Sequence, residues 1–93
     1  MRYTDNGAED IKIAYIGGGS RGWAWGLMSD LAAAQDMSGS VFLYDIDREA
    51  AARNECIGNK MKDLKECRSA WNYKAVETMK EALTGADFVV ISI

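Results

Sequence analysis

With 93 residues, the chain has room for one domain or part of one, and its 48% apolar and 27% charged residues are an ordinary globular balance. A net charge of -3 without a basic cluster argues against nucleic acid or an anionic membrane surface as a partner. No apolar run approaches a bilayer span, and the polar, acidic stretch Met1–Asp10 carries no secretory signal.

In chain order, residues 1–10 read as a loose leader, ordered only if something docks on them. Ile11–Ile16 is apolar and rich in β-branched residues, which predicts a first strand. It runs into the glycine turn Gly17–Gly22 and then a helix from Arg21 to about Gln35. That helix places Trp23, Leu27, Leu31 and Ala34 along one apolar face. Met37-Ser38-Gly39-Ser40 reads as the turn that ends it. Val41–Tyr44 predicts a second strand, with Asp45 at its carboxyl end. Asp47 is placed to cap a second helix. The spacing of Ala50, Ile57, Met61 and Leu64 carries that helix to about Cys67, with Gly58 weakening it by about 1 kcal/mol relative to alanine. Asn72–Val76 predicts a short third strand, anchored at its start by Trp71. Thr78 and Glu81 form a capping box for a short helix ending at Gly85. Asp87–Ile93 reads as a buried fourth strand.

This βαβαβαβ order implies a parallel sheet with right-handed crossovers. In the dinucleotide-binding arrangement the strands lie 3-2-1-4, giving an α/β, partial Rossmann-type sheet with helices on both faces. A strand as hydrophobic as Asp87–Ile93 seldom closes a domain, so the sheet reads as truncated after strand 4. Residues 11–93 are then expected to be the N-terminal half of a Rossmann domain, a fragment of a longer chain. The bare edge of its last strand invites self-association with a second copy.

The chemistry sits at Gly17-x-Gly19-x-x-Gly22, which follows a strand and opens a helix, as a pyrophosphate cradle requires. Gly17 permits the sharp turn, Gly19 permits close approach of the phosphates, and Gly22 permits close packing of helix on sheet. The free amides and positive end of the helix face the ligand. Ser20 is either a hydroxyl donor to a phosphate or a helix cap, and Arg21 is a weaker phosphate candidate. Asp45, 23 residues beyond Gly22, is placed to accept ribose hydroxyls and to repel a 2′-phosphate, which favours NAD over NADP. Asp47 is the alternative ribose acceptor, and Arg48 reads as a solvated first-turn residue. Trp23 reads as core, whereas Trp25 falls off the apolar face and suits either packing on another domain or exposure.

No nucleophile–base pair or acid–base carboxylate pair is visible, so no catalytic residue is assigned. The chain has no histidine and no CxxC pair, which leaves a metal site without support. Cys56 and Cys67 would stand about 16 Å apart along one helix, too far for a disulfide. Unpaired thiols suit a reducing cytoplasm.

The block Lys12-Ile-Ala-Tyr-Ile-Gly-Gly-Gly-Ser-Arg-Gly-Trp-Ala24 resembles the opening of the family 4 glycoside hydrolases. So do Leu27-Met-Ser-Asp-Leu31, Met37-Ser-Gly39, Val41-Phe-Leu-Tyr-Asp-Ile-Asp47, Glu55-x-Ile-Gly-Asn59 and Ala86-Asp-Phe-Val-Val-Ile-Ser-Ile93. The Gly-Trp after the turn and the Tyr-Asp-Ile-Asp run look most like the α-galacturonidase branch, more than the α-glucosidase or 6-phospho-glycosidase branches. The resemblance implies hydrolysis that departs from the two-carboxylate scheme. NAD oxidises the sugar at C3, a base takes the C2 proton, the glycosidic bond breaks by elimination, and the steps reverse after water adds. A divalent metal, usually Mn, acts as Lewis acid. Gly17, Gly19, Ser20, Gly22 and Asp45 match the family's cofactor positions. Its cysteine and histidine metal ligands and its tyrosine base lie downstream. Cys56 and Cys67 do not match the ligand, nor do Tyr3, Tyr15, Tyr44 and Tyr73 match the base, so this fragment alone is expected to be inactive. The partners implied are a small glycoside and further copies in a homo-oligomer. An NAD-dependent hydroxy-acid dehydrogenase and a non-catalytic nucleotide-binding module are the alternative functions.

Overall fold

The computed structural model describes residues 1–63, 67 and 69–92. Leu64, expected on the apolar face of the second helix, and Ile93, expected to end the last strand, lie outside them. The elements are β1 (Arg2–Thr4), β2 (Gly7–Ile16), α1 (Gly22–Ala33), β3 (Met37–Tyr44), α2 (Arg48–Lys60), a 3₁₀ turn (Met61–Asp63), β4 (Trp71–Ala75), α3 (Met79–Leu83) and β5 (Phe88–Ile91).

Strands β4, β3, β2 and β5 lie side by side and parallel, which is the expected 3-2-1-4 order. The sheet is nevertheless mixed. Residues 1–10 are not a loose leader: β1 pairs antiparallel with the start of β2, with Arg2 opposite Glu9 and Thr4 opposite Gly7. The Arg2 guanidinium and the Glu9 carboxylate reinforce that pairing. Ala8 pairs with Tyr3 on one side and Met37 on the other, so β1 occupies the edge of β2 that β5 takes up further along. These polar residues carry no apolar alternation, and only backbone pairing makes them strands. The same holds for Met37–Ser40, expected as a turn but paired with β2 as the start of β3. A bulge between Ala8 and Ile11, with Asp10 at φ 54°, absorbs the change of register.

The pleat sorts the core into two faces. Ile11, Ile13, Tyr15, Val41, Leu43, Trp71 and Tyr73 face α1 and α2. Ala14, Val76 and Ala82 form a smaller cluster, joined by Ile16, Phe42 and Tyr44, on the α3 side. Helices therefore cover both faces. Helix α1 is rotated from the expected register: Ala24, Met28 and Leu31 are buried, and Trp23 is 79% exposed. Apolar residues surround this helix almost completely, so their spacing does not choose a face. The close approach to the sheet admits alanine and flexible methionine in place of the indole.

Helix α2 begins as expected, with Asp47 Oδ1 accepting the Ala50 amide at 3.1 Å. It stops at Lys60, short of Cys67, and tightens into the 3₁₀ turn. Cys56 is therefore exposed on the helix, while Cys67 lies beyond it with its thiol against the Ser69 carbonyl at 3.2 Å. Gly58 has a structural use: a Cβ there would lie 2.5 Å from the Tyr73 ring. Strand β4 starts one residue early, at the buried Trp71. Thr78 caps α3 by accepting the Glu81 amide at 3.1 Å. Strand β5 is not buried: Phe88, Val89 and Ile91 are exposed, because β2 is its only strand partner among the described residues. Its start is pinned by Asp87, whose carboxylate accepts the Lys12 amide at 2.8 Å. That hydrogen bond holds the Asp87 carboxyl below its ordinary pKa against a smaller opposing effect of burial, with the N-terminal ammonium assisting.

Candidate functional site

Strand β2 delivers the chain into a turn folded back over the carboxyl end of β3. The Gly17 and Gly18 amides both donate to the Tyr44 carbonyl at 2.8 Å, and the Ser20 amide donates to Gly17 O at 3.1 Å. Gly17 has φ +94°, and a Cβ on it would stand 2.0 Å from the Ser92 carbonyl oxygen. Both facts demand glycine. The buried Gly18 lies against β3, where a Cβ would come within 2.8 Å of Leu43 Cβ. A Cβ on Gly19 would stand 2.6 Å from Ala50 Cβ and 2.8 Å from Asp45 Oδ2. The close packing expected of Gly22 thus belongs to Gly18 and Gly19, since a Cβ on Gly22 meets nothing within 4 Å.

Asp45 sits half-buried at the end of β3. Its Oδ2 accepts the Gly19 amide at 2.8 Å and its Oδ1 accepts the Asp47 amide at 2.9 Å. Each oxygen keeps lone-pair capacity for a further donor. Of the two acids, Asp47 is the one that caps α2. Ser20 Oγ accepts the Ala24 amide at 3.2 Å and lies 3.4 Å from the Tyr15 hydroxyl. It accepts from the first turn of α1, and the Tyr15 hydroxyl can either donate to it or accept its proton. The Trp25 amide goes to Arg21 O at 3.1 Å. The Gly22 and Trp23 amides, at the leading turn of α1, have no acceptor among the described residues. The positive end of a 12-residue helix is thereby open to an anion.

These groups border a cleft of about 610 Å³. Gly17, Gly19, Ser20 and Asp45 line it, whereas Arg21 is exposed outside it. Gly22 lines a neighbouring groove of about 750 Å³ between α1 and β5, and Trp23 borders both. Arg48 is exposed, as expected. No group of three or more potential metal-ligating side chains stands together among the described residues.

The residue that sequence reasoning missed is Asn54, on α2 and 2% exposed. Its Nδ2 donates to Gly18 O at 2.7 Å and to Ser20 O at 2.8 Å, and its Oδ1 accepts the Trp25 indole N–H at 2.9 Å. Trp25, 43% exposed, is therefore neither free nor simply packed. One signal was available: Asn54 falls three to four residues from Ala50, Ala51 and Gly58, so it belongs to the small-residue face that packs on the sheet.

The sequence profile of the family 4 glycosyl hydrolases matches residues 12–93. The chain is 63% identical over its whole length to an alpha-galacturonidase of Thermoanaerobacter italicus and 60% identical to one of Thermoanaerobacterium saccharolyticum. It is 56% identical over 85 residues, 91% of its length, to an alpha-galacturonidase of Bacillus subtilis. The chain spans about a fifth of the length of these relatives, between 18% and 20%. The crystal structure of a Bacillus subtilis protein described as a glucosidase superposes with TM-score 0.82 at 56% identity, over 92% of this chain and 19% of that one. A sheet in the dinucleotide-binding order, a glycine turn closed on an acid, and this likeness over nearly every residue agree: the chain belongs to the family 4 glycosyl hydrolases.

Proposed function

We propose that this chain is the NAD-binding segment of a longer family 4 enzyme that hydrolyses α-galacturonides. The observation that carries the reading is the cleft where the glycine turn and the Asp45 carboxylate meet beside Trp23, next to the groove that Gly22 lines at the open end of α1. The fit to a dinucleotide is steric as well as polar. The turn lies so close to Leu43, Ala50 and Asp45 that side chains are excluded and ligand phosphates can reach backbone. The open amides and the Ser20 hydroxyl proton meet the pyrophosphate, and Arg21 is not required. Asp45 accepts a ribose hydroxyl, and its negative charge disfavours a 2′-phosphate. NAD, when bound, supplies reversible hydride transfer with the sugar.

The described residues hold no group of three or more metal-ligating side chains for the Mn that the resemblance implies. The substrate class rests on relatives named alpha-galacturonidase at 56–63% identity. We place the protein in the cytoplasm on its two free thiols. No helix among the described residues is long and apolar enough to cross a membrane. The outer edge of β5, with Phe88, Val89 and Ile91 exposed, suits pairing with a second copy. A monomeric mass in sedimentation at tens of micromolar refutes that pairing.

The test of the cofactor reading is calorimetric titration with NAD⁺, with NADP⁺ and Asp45→Ala as comparisons. At about 100 times the dissociation constant, NAD⁺ stabilises the fold by roughly 2.7 kcal/mol. Asp45→Ala weakens NAD⁺ binding and narrows the preference over NADP⁺. A folded sample that binds neither nucleotide overturns the reading.

A further inference from the structure

We infer that Asn54 is a positioning residue for the glycine turn, holding the Gly18 and Ser20 carbonyls inward so that the Gly19 amide meets Asp45 and the leading amides of α1 stay open. The expected effect on a dinucleotide rests on the cofactor reading above; the effect on the turn does not.

The orientation of the Asn54 amide is forced by its partners. The Trp25 indole N–H is only a donor, so it must meet Oδ1 at 2.9 Å. The Gly18 and Ser20 carbonyls are only acceptors, so they must meet the two protons of Nδ2. Both Nδ2 protons are used, Oδ1 has its partner, and the residue is 2% exposed, so water is no ready substitute. The two carbonyls flank Gly19, the residue whose amide is given to Asp45. Fixing the Gly18–Gly19 peptide fixes where Asp45 docks, and fixing the Ser20–Arg21 peptide fixes where the open amides of α1 point. Trp25 closes the triangle from α1, so one buried amide couples the turn, α1 and α2. The amides of residues 17–20 otherwise rely on the Tyr44, Gly17 and Asp45 acceptors, with Ser20 Oγ tied to the Ala24 amide and the Tyr15 hydroxyl.

The variant Asn54→Asp keeps the shape and the acceptor for Trp25 but sets a charged oxygen against two carbonyls. Amide hydrogen exchange on this chain reads the outcome residue by residue. The protected amides of Gly17, Gly18, Gly19 and Ser20 should exchange about tenfold faster or more, while those of Val41 and Leu43 at the sheet centre change much less. The indole N–H resonance of Trp25 should persist. The affinity for NAD⁺ should fall by a similar factor. A second variant, Trp25→Phe, alters a partly exposed side chain and removes only the bond that orients the amide. It should speed exchange in the turn by about threefold, and it carries the test if Asn54→Asp does not fold. Equal acceleration at turn and sheet centre, or none in the turn, overturns the proposal. Faster turn exchange in a protein whose wild type binds no NAD⁺ upholds the positioning role and overturns the cofactor reading.

Discussion

Alanine replacement at two glycines of the same motif should have opposite effects on stability. Neither Gly19 nor Gly22 has a left-handed φ, so the contrast is one of space. At Gly19 the new Cβ would lie 2.6 Å from Ala50 Cβ and 2.8 Å from Asp45 Oδ2. Ala50 is part of the buried face of α2 and cannot rotate away, and Asp45 is held by the Gly19 amide itself. Overpacking of this kind costs about 1–3 kcal/mol. For a domain of this size each kcal/mol moves the melting temperature by roughly 4–8 °C, so Gly19→Ala should lower it by roughly 4–24 °C. At Gly22 the Cβ enters open space at the start of α1. Restricting the unfolded chain there stabilises by about 0.4–1 kcal/mol, a rise of roughly 2–8 °C. Thermal unfolding followed by circular dichroism, without ligand, measures both. A fall for Gly22→Ala as large as that for Gly19→Ala would refute the packing argument. Loss of NAD⁺ affinity in Gly22→Ala without loss of stability would place the need for that glycine on the ligand side.

Gly58→Ala gains about 1 kcal/mol of helix propensity but drives a methyl into the buried Tyr73 ring 2.5 Å away, so the net effect in urea unfolding should be a loss of up to about 2 kcal/mol. Asp47→Ala removes the cap on the Ala50 amide and should cost about 1 kcal/mol by the same measurement, with cofactor selectivity unchanged under the role proposed for Asp45. Burial, with the Cys67 thiol assisting, pushes the Tyr73 phenol above its ordinary value of 10.0. The folded state thus favours the protonated phenol: its contribution is fully present below about pH 10 and is lost as pH rises beyond it. Tyr73→Phe should flatten the alkaline limb of a stability profile, and an unchanged limb would show that the phenol is not the group responsible.

The sequence revealed what depends on local patterning and concealed what depends on neighbours. Strand order, the Asp47 cap and the Thr78 cap follow from alternation, helix period and capping chemistry, each carried by residues close in sequence. The N-terminal hairpin did not show because Arg2–Thr4 and Gly7–Asp10 are polar, and only pairing makes them strands. The face of α1 did not show because apolar residues on every side leave spacing nothing to choose, so the choice fell to size against the sheet. Strand β5 was legible as a strand but not as an exposed one, since burial is a property of what covers it.

The site divides along the same line. Gly17 and Asp45 were legible because each acts through its own backbone or position at a strand end. Gly18 and Gly22 were not, because the glycine spacing names three positions and only the distance to Leu43 shows which peptide lies on the sheet. Asn54 was the least legible. A polar residue in mid-helix usually reads as solvated, and this one is buried with every bond of its amide given to groups 29 to 36 residues away in the chain. Burying an unsatisfied amide costs about 1–3 kcal/mol, and an apolar residue there would leave the Gly18 and Ser20 carbonyls without their donor. A fully bonded asparagine at that point is therefore explained by the turn it holds rather than by the helix it sits in.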